Sequence, residues 1–454
     1  MENKEFNILL MSEFLKYNVG VRKRLQFERR NGMKKRRAFA ATLLSITMGL
    51  SVFSTGALAK DKVEAKEQDS YRVLIKAPTT SISTFQSKYD VRWDFGKEGF
   101  TTDVDAKQLQ TLQSNKDIQI QKVNEITVET ATTDAQSTKA EVTATPSTQT
   151  PWGIKSIYND QSITKTTGGS GIKVAVLDTG VHTGHIDLAG SSEQCKDFTQ
   201  SNPLVNGSCT DRQGHGTHVA GTVLAHGGSD GQGVYGVAPQ AKLWAYKVLG
   251  DNGSGYSDDI AAAIRHVADE ASRTGSKVVI NMSLGSSGKD SLIASAVDYA
   301  YGKGVLIVAA AGNSGSGSNT IGYPAALVNA VAVAALENVQ QNGTYRVANF
   351  SSRGNPATAG DFRIQERDVE VSAPGASVES TWYNGGYNTI SGTSMATPHV
   401  AGLAAKIWSS NSSLSHSQLR TELQNRAKVY DIKGGIGAGT GDDYASGFGY
   451  PRVK

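Results

Sequence analysis

Three polar residues that lie far apart in the chain have the types needed for nucleophilic catalysis: Asp178, His215 and Ser394. Ser394 follows Gly392 and Thr393 and begins a run of small residues that is typical of a buried helix. A hydroxyl there lies near the positive end of the helix dipole and beside free backbone N–H groups, which favours both a nucleophile and an oxyanion. Most serines at a helix start only cap the helix, so Ser394 alone does not indicate catalysis.

The other two residues could supply what such a serine needs. Asp178 ends an apolar strand pattern, where a carboxylate is costly to bury without a charged or donor partner. His215 lies between glycines before a helical stretch, which leaves its imidazole free to reach across a cleft. Taken alone, each residue is more typical of a turn, and the pair His215/His218 does not predict zinc because no carboxylate is close by. Together they predict that Ser394 attacks a carbonyl, His215 transfers the proton and Asp178 orients the imidazole.

The order Asp, His, Ser along the chain is that of the subtilisin triad. The segments 176–180, 214–221 and 392–402 resemble the three diagnostic motifs of the subtilase family of serine peptidases, and secreted bacterial subtilisins in particular. The likeness extends from about Pro151 to about Gly449. The resemblance implies a serine endopeptidase that works through an acyl-enzyme and has broad specificity.

Asn313 follows another apolar strand pattern, in Gly312-Asn313-Ser314. A neutral carboxamide donor is what a developing oxyanion requires, although an Asn before Ser-Gly is also a common turn former. The resemblance implies the oxyanion role, with the backbone N–H of Ser394 as the second donor.

The resemblance also implies where a peptide substrate binds. Two segments would pair with an extended substrate as added strands, and a third would form the main specificity pocket. These residues are Gly253, Ser254 and Gly255; Ser283, Leu284 and Gly285; and Ala310, Ala311 and Gly312, with Gly322 at the base of the pocket.

The small residues around this pocket, with no fixed carboxylate, predict a preference for large apolar or aromatic side chains on the acyl side of the cut. Ser314 at the rim further weakens a basic preference. Tyr256 and Leu249 are candidates for a second apolar subsite, which Asp258 and Asp259 put in doubt because subtilisins commonly have apolar residues there.

A structural calcium site is a further implication of the resemblance. Asp187 has the family's spacing for a ligand, and a glycine-rich loop before Pro239 resembles the family's calcium loop. Carboxylate and carbonyl oxygens suit calcium, whereas the alternative is a solvated loop. The predicted ligands are Asp187, Gly228, Asp230, Gln232 and Val234. Thr148, where relatives supply a Gln, would weaken the site.

The elements that position these residues follow a regular pattern. Apolar runs at 172–177, 277–282, 305–310 and 330–335 have the composition of buried parallel strands. They alternate with helical stretches at 218–225, 257–273, 291–302 and 394–408. This alternation predicts an α/β fold with a doubly wound, mostly parallel sheet and helices on both faces, and catalysis at the carboxyl ends of the strands.

The N-terminal third has a different organisation. A basic run from Met33, an apolar stretch and a small-residue cleavage site predict a signal peptide at 33–59, rather than a membrane anchor. Because signal peptides normally begin close to their charged region, residues 1–32 are predicted to be a mis-called leader. Residues 60–126 alternate like a small α+β unit and resemble the subtilase propeptide, which assists folding and inhibits until it is removed. Residues 127–150 have linker composition and would contain the maturation site, and 151–454 would be the peptidase domain.

Charge and cysteine content complete the prediction. The net charge of +4 owes much to basic residues in the first 37 positions, so it does not indicate nucleic-acid binding. In an exported chain Cys195 and Cys209 predict a disulfide, with two free thiols as the alternative. We expect an extracellular monomer whose partners are protein substrates and its own propeptide, with no membrane anchor. The alternatives are a catalytically silent binding protein on the same scaffold and a processing protease specific for paired basic residues, which would need an acid-rich pocket.

Overall fold

A computed structural model describes residues 70–130, 142–200 and 207–454. The predicted leader at 1–32 and signal peptide at 33–59 lie outside these residues, as does the middle of the predicted linker. Among the described helices, none is both long and apolar enough to cross a membrane.

Residues 70–129, here called the N-terminal unit, contain a four-stranded antiparallel sheet in the order β2-β3-β1-β4. Asp105 caps the helix Ala106–Ser114 of this unit through a capping box with Gln108. The elements are β1 (Tyr71–Lys76), α1 (Ile82–Lys88), β2 (Trp93–Asp94), β3 (Phe100–Val104), α2 (Ala106–Ser114), β4 (Gln119–Lys122) and β5 (Glu125–Val128). The last strand, β5, is not part of this sheet and pairs instead with two short strands of residues 142–454.

Residues 142–454, here called the main domain, are built around an eight-stranded sheet. Its order is β14-β13-β12-β10-β6-β8-β7, with β15 beside β13, and every neighbouring pair is parallel except β13 and β14. The strands are β6 (Ile172–Asp178), β7 (Ser192–Asp197), β8 (Lys242–Lys247), β10 (Lys277–Met282), β12 (Leu306–Ala310), β13 (Val331–Gln341), β14 (Thr344–Val347) and β15 (Val371–Pro374). The doubly wound, mostly parallel sheet is therefore confirmed.

Helices form two groups against this sheet. Helix α7 contacts strands β6, β10, β12, β13 and β15 and packs on α4 and α8, whereas α5 and α6 pack on each other and on β6, β10 and β12. The helices are α3 (Trp152–Tyr158), α4 (His215–Leu224), α5 (Ser257–Thr274), α6 (Ser291–Gly302), α7 (Thr393–Ser410) and α8 (His416–Val429). The short strands β9 (Ser254–Tyr256), β11 (Leu284–Gly285), β16 (Val378–Thr381) and β17 (Tyr387–Ile390) complete the domain.

One element boundary differs from the prediction in a way that affects the site. Helix α4 begins at His215, three residues earlier than the apolar pattern predicts. Gly214 precedes it with φ +110°, and a Cβ at that position would lie 2.4 Å from the Trp382 ring. Because only glycine tolerates both the backbone angle and this close approach, the helix can begin directly at the histidine.

The predicted disulfide is present. Cys195 of β7 is bonded to Cys209, with an S–S distance of 2.01 Å and a sequence separation of 14 residues. It closes the loop that precedes α4 and therefore ties that loop to the sheet edge.

Candidate active site

Asp178 and His215 form a buried pair at the carboxyl edge of the sheet. Asp178 is the last residue of β6, and its two carboxylate oxygens lie 2.8 and 3.0 Å from His215 Nδ1. The Asp178 side chain also accepts the backbone N–H of Thr179 at 2.7 Å. Neither Asp178 nor His215 is more than 1% exposed.

Gly216 allows this approach. A Cβ on Gly216 would lie 2.1 Å from the Gly180 carbonyl oxygen and 3.0 Å from Asp178 Cβ. The glycine that follows the histidine is therefore required for the first turn of α4 to lie against the end of β6.

Ser394 lies in the first turn of α7 but does not cap the helix. Gly392 is the residue at the cap position, and the Ser394 hydroxyl donates to the Ser283 carbonyl oxygen at 2.9 Å. The Ser283 hydroxyl returns a hydrogen bond to the Ser394 carbonyl at 2.8 Å. His215 Nε2 is buried and has no hydrogen-bond partner within the described part of the chain, so the serine hydroxyl is directed to Ser283 in this state.

Asn313 is oriented by the residue before Ser394. Its side-chain oxygen accepts the Thr393 backbone N–H at 3.0 Å and lies 3.3 Å from the Thr393 hydroxyl. This leaves the amide nitrogen as a donor, and it lies 3.4 Å from a carboxylate oxygen of Glu129. A neutral donor is thus held beside the candidate nucleophile.

The two predicted substrate-binding segments lie on either side of β5. The three strands form an antiparallel sheet in the order β11-β5-β9. Val128 N–H donates to the Gly253 carbonyl at 3.0 Å, and Glu129 N–H donates to the Ser283 carbonyl at 3.4 Å. A strand of the chain itself therefore lies where an extended peptide substrate would be expected.

The predicted pocket residues come together beside Glu129. Ala310 and Ala311 are buried, and the Gly322 N–H donates to the Ala311 carbonyl at 2.9 Å. A Cβ on Gly285 would lie 2.8 Å from a Glu129 carboxylate oxygen. Burial raises the pKa of Glu129 to about 7, against smaller opposing effects of the Asn313 hydrogen bonds and of His215.

The predicted calcium residues also lie together, although within the described ranges no three His, Cys, Asp or Glu side chains form a metal cluster. Asp187 has no exposed surface; its Oδ2 accepts the Val234 N–H at 2.8 Å, while its Oδ1 is buried without a partner in the described structure. Cβ atoms at Gly228 and Gly233 would lie 2.9 and 1.7 Å from that Oδ1. A buried carboxylate oxygen that lacks a donor is a hard oxygen ligand of the kind that suits a calcium ion.

Two other predicted ligands belong to the same loop, and a residue from another segment contacts it. The Asp230 side chain accepts the backbone N–H of Gln232 at 3.0 Å. Gln149, rather than Thr148, reaches the loop, since its side-chain amide donates to the Gly231 carbonyl. The resemblance to the family places Thr148 at this position, one residue before the glutamine that makes the contact.

Asp258 and Asp259 contact the N-terminal unit. Arg92 makes a two-pronged ion pair with Asp259 at 2.9 and 3.1 Å, and Arg72 lies 2.9 Å from Asp259 and 3.3 Å from Asp258. The Trp93 indole N–H also donates to Asp259 at 2.8 Å. The sequence identified the two aspartates as unusual but contained no local signal for their partners.

Comparison with known proteins assigns the family. The sequence profile described as "Subtilase family" matches residues 169–449. "Subtilisin" of Bacillus sp. (strain TA39) is 57% identical over 417 residues, which are 92% of this chain and 98% of that protein. "Subtilisin Savinase" of Lederbergia lenta is 43% identical over 280 residues, which are 61% of this chain and 91% of the relative.

Solved structures agree with this assignment. The structure of "Sphericase" has a TM-score of 0.67 and 72% identity, and covers 68% of this chain and 99% of its own. The structure of "S41 Psychrophilic Protease" has the same TM-score, 68% identity and the same coverage.

The raised pKa of Glu129 is testable by NMR. In a full-length Ser394→Ala chain labelled with ¹³C at the glutamate carboxyls, we expect the Glu129 signal, assigned by its loss in Glu129→Gln, to titrate with a midpoint of about 7. The acid is protonated more readily when β5 lies between β9 and β11 than when it is released. The binding free energy of β5 should therefore weaken as pH rises from about 4.5 to about 7, and it should not change further above pH 7. A midpoint near 4.5 would contradict the burial of this carboxyl.

Proposed function

The chain belongs to the subtilase family and is a serine endopeptidase, and we propose that Ser394, His215 and Asp178 are its catalytic residues. The observation that carries the proposal is the buried hydrogen bond between Asp178 and His215 Nδ1. It requires the proton of a neutral imidazole on Nδ1, so Nε2 is left as a base.

The reaction follows from these positions. Ser394 turns its hydroxyl from the Ser283 carbonyl to His215 Nε2, which accepts the proton as the serine oxygen attacks the substrate carbonyl. The Asn313 amide and the Ser394 backbone N–H stabilise the oxyanion. His215 then donates its proton to the leaving amine, and a water molecule, activated by the same imidazole, hydrolyses the acyl-enzyme. Asp178 stabilises the imidazolium in both steps.

Broad specificity, with a preference for large apolar or aromatic side chains on the acyl side, is supported by the lining of the pocket. Its walls are small residues, Ala310 and Ala311 on one side and Gly285 on the other, with Gly322 at the base. A protease specific for paired basic residues needs fixed carboxylates in these positions, which this lining does not provide.

The N-terminal unit acts as a propeptide that occupies the substrate site until it is removed. This is supported by the position of β5 between β9 and β11, where it excludes any other extended peptide. It is also supported by the solved chain of sphericase, which is matched almost whole by only 68% of this chain. The same unit assists folding, since a largely parallel sheet forms slowly and a docked partner lowers its barrier.

Buried ion pairs link the propeptide to the main domain. Asp258 and Asp259 are 0% and 2% exposed, so both carboxylates depend on Arg72 and Arg92 for compensation. They lie in the first turn of α5, where the helix dipole also favours negative charge. Arg265, which lies further along the same helix, forms an ion pair with Glu98 of the propeptide at 2.6 Å.

Calcium and secretion complete the proposal. Asp187 and the loop 228–234 would hold a structural calcium ion, which would compensate the buried Asp187 Oδ1 and fix the loop. Export is supported by the signal-peptide pattern at 33–59 and by the disulfide, which forms in oxidising compartments.

The catalytic assignment is tested by the rate at which the refolded full-length chain releases its propeptide. We expect Asn313→Ala to slow release about 10²–10³-fold, through loss of an oxyanion donor. Asp178→Asn should slow it about 10⁴-fold, through the wrong imidazole tautomer. Ser394→Ala should abolish it.

The matched control is Asn329→Ala, which removes an exposed amide that is bonded to Asp298. Its rate should equal that of the unmodified chain. Release of the propeptide by pure Ser394→Ala protein would refute self-maturation.

The ionic interface is tested by hydrogen exchange of the β5 amides in the full-length Ser394→Ala chain. Removing one partner of a buried ion pair leaves the other uncompensated, so adding Asp259→Asn should lower β5 protection by about 100-fold or more. The core amides of β6 and β10 should keep their protection from exchange, which would show that the domain remains folded.

Asp269→Asn is the control for this experiment, because Asp269 lies on the same helix but accepts a hydrogen bond from Tyr299 of the main domain. Equal protection of β5 in the Asp259→Asn and Asp269→Asn chains would contradict the role of the ion pairs.

A further inference from the structure

We infer that the peptide bond between Glu129 and Thr130 is the first bond that this enzyme cuts in its own chain, with glutamate as the acyl-side residue. The inference rests on the proposed function, since it assigns the self-maturation cut to one bond. It also extends the expected specificity, because the site then accepts a side chain that is neither apolar nor aromatic.

The register of β5 fixes which residue reaches the reaction centre. Ile126 pairs with Gly255, and Thr127 lies between Ser254 on one side and Gly285 on the other. The backbone bonds continue beyond the strand, from Val128 to the Gly253 carbonyl and from Glu129 to the Ser283 carbonyl. Glu129 is therefore the last residue of the described segment with a backbone hydrogen bond to a wall of the cleft.

Glu129 and Ser394 donate hydrogen bonds to the same carbonyl oxygen. The Ser283 oxygen accepts the Glu129 backbone N–H at 3.4 Å and the Ser394 hydroxyl at 2.9 Å. Two donors that share one acceptor lie close to each other, and the carbonyl carbon of Glu129 is two bonds from its nitrogen. The bond that follows Glu129 is thus the one that faces Ser394.

The side chains of the segment fit the walls in the same register. The Glu129 carboxylate lies against Gly285, where a Cβ would come within 2.8 Å, and beside the Asn313 amide at 3.4 Å. Ile126, three residues before it, is 1% exposed and pairs with Gly255, where a Cβ would lie 2.9 Å from the Leu249 side chain. In this register an apolar residue of the chain lies next to the predicted second apolar subsite.

The cut needs only water as co-reactant. The Ser394 oxygen forms an ester with the Glu129 carbonyl carbon, the bond to the Thr130 nitrogen breaks, and the serine proton passes through His215 to the new Thr130 amine. Water then hydrolyses the ester, which yields the Glu129 α-carboxylate and restores the serine hydroxyl.

Two described residues beyond the cut, Thr143 and Ser147, are hydrogen-bonded to strands β17 and β16. Thr143 exchanges two backbone hydrogen bonds with Tyr387 at 3.0 and 2.9 Å, and Ser147 donates to Glu379. The first product of the main domain would therefore begin at Thr130 and carry residues 130–142 as an N-terminal extension.

The test is intact mass spectrometry of the first products formed when the full-length chain is refolded and quenched over time. We expect an N-terminal fragment that ends at Glu129 and a partner that begins at Thr130, before any shorter form of the domain. A first fragment that ends at another residue would overturn the inference and leave self-maturation intact.

Variants give an independent readout. Glu129→Gln should cut at the same bond, whereas Glu129→Lys, which brings a cation towards His215, should slow this cut at least about tenfold. Asp117→Lys makes the same charge change at an exposed site on the N-terminal unit and should change the rate less than twofold. Equal rates for the two lysine variants would overturn the inference. Processing of a pure Ser394→Ala chain would instead refute the proposed function.

Discussion

The site depends on a carboxylate that has no exposed surface. Asp178 ends a central strand, and burying its charge is costly unless donors surround it. The Thr179 N–H and the His215 imidazole are those donors, so the histidine is held where the strand ends. This requirement fixes where α4 begins, explains why glycine must follow His215, and sets the imidazole tautomer that the proposed mechanism needs.

The parallel sheet delivers the remaining groups to the same edge. Strands β6, β10 and β12 are neighbours, and Asp178, Ser283 and Asn313 lie at or just beyond their carboxyl ends. Helix α7 packs across these strands and brings Ser394 to that edge. The cleft is open on both walls to an added strand, and β5 fills it from within the chain. In the proposed function, substrate binding and inhibition thus use one set of backbone hydrogen bonds.

Much of this arrangement was predictable from sequence, because local patterns encode it. Apolar runs identified the strands, and the motifs around Asp178, His215 and Ser394 located the residues at their ends. Pairings between distant segments were not predictable: Arg92 and Asp259 are 167 residues apart, and neither sequence context points to the other. Glu129 was missed for a related reason, since its segment has linker composition and becomes a strand only between two walls.

The central claim is that Ser394 is activated by His215 as a nucleophile, and it is tested most directly on the matured enzyme with a fluorophosphonate. The expected result is a single phosphonyl adduct on Ser394, formed in step with complete loss of peptide hydrolysis. Peptide hydrolysis that persists with Ser394 unlabelled, or inactivation through an adduct on another residue, would contradict the assignment.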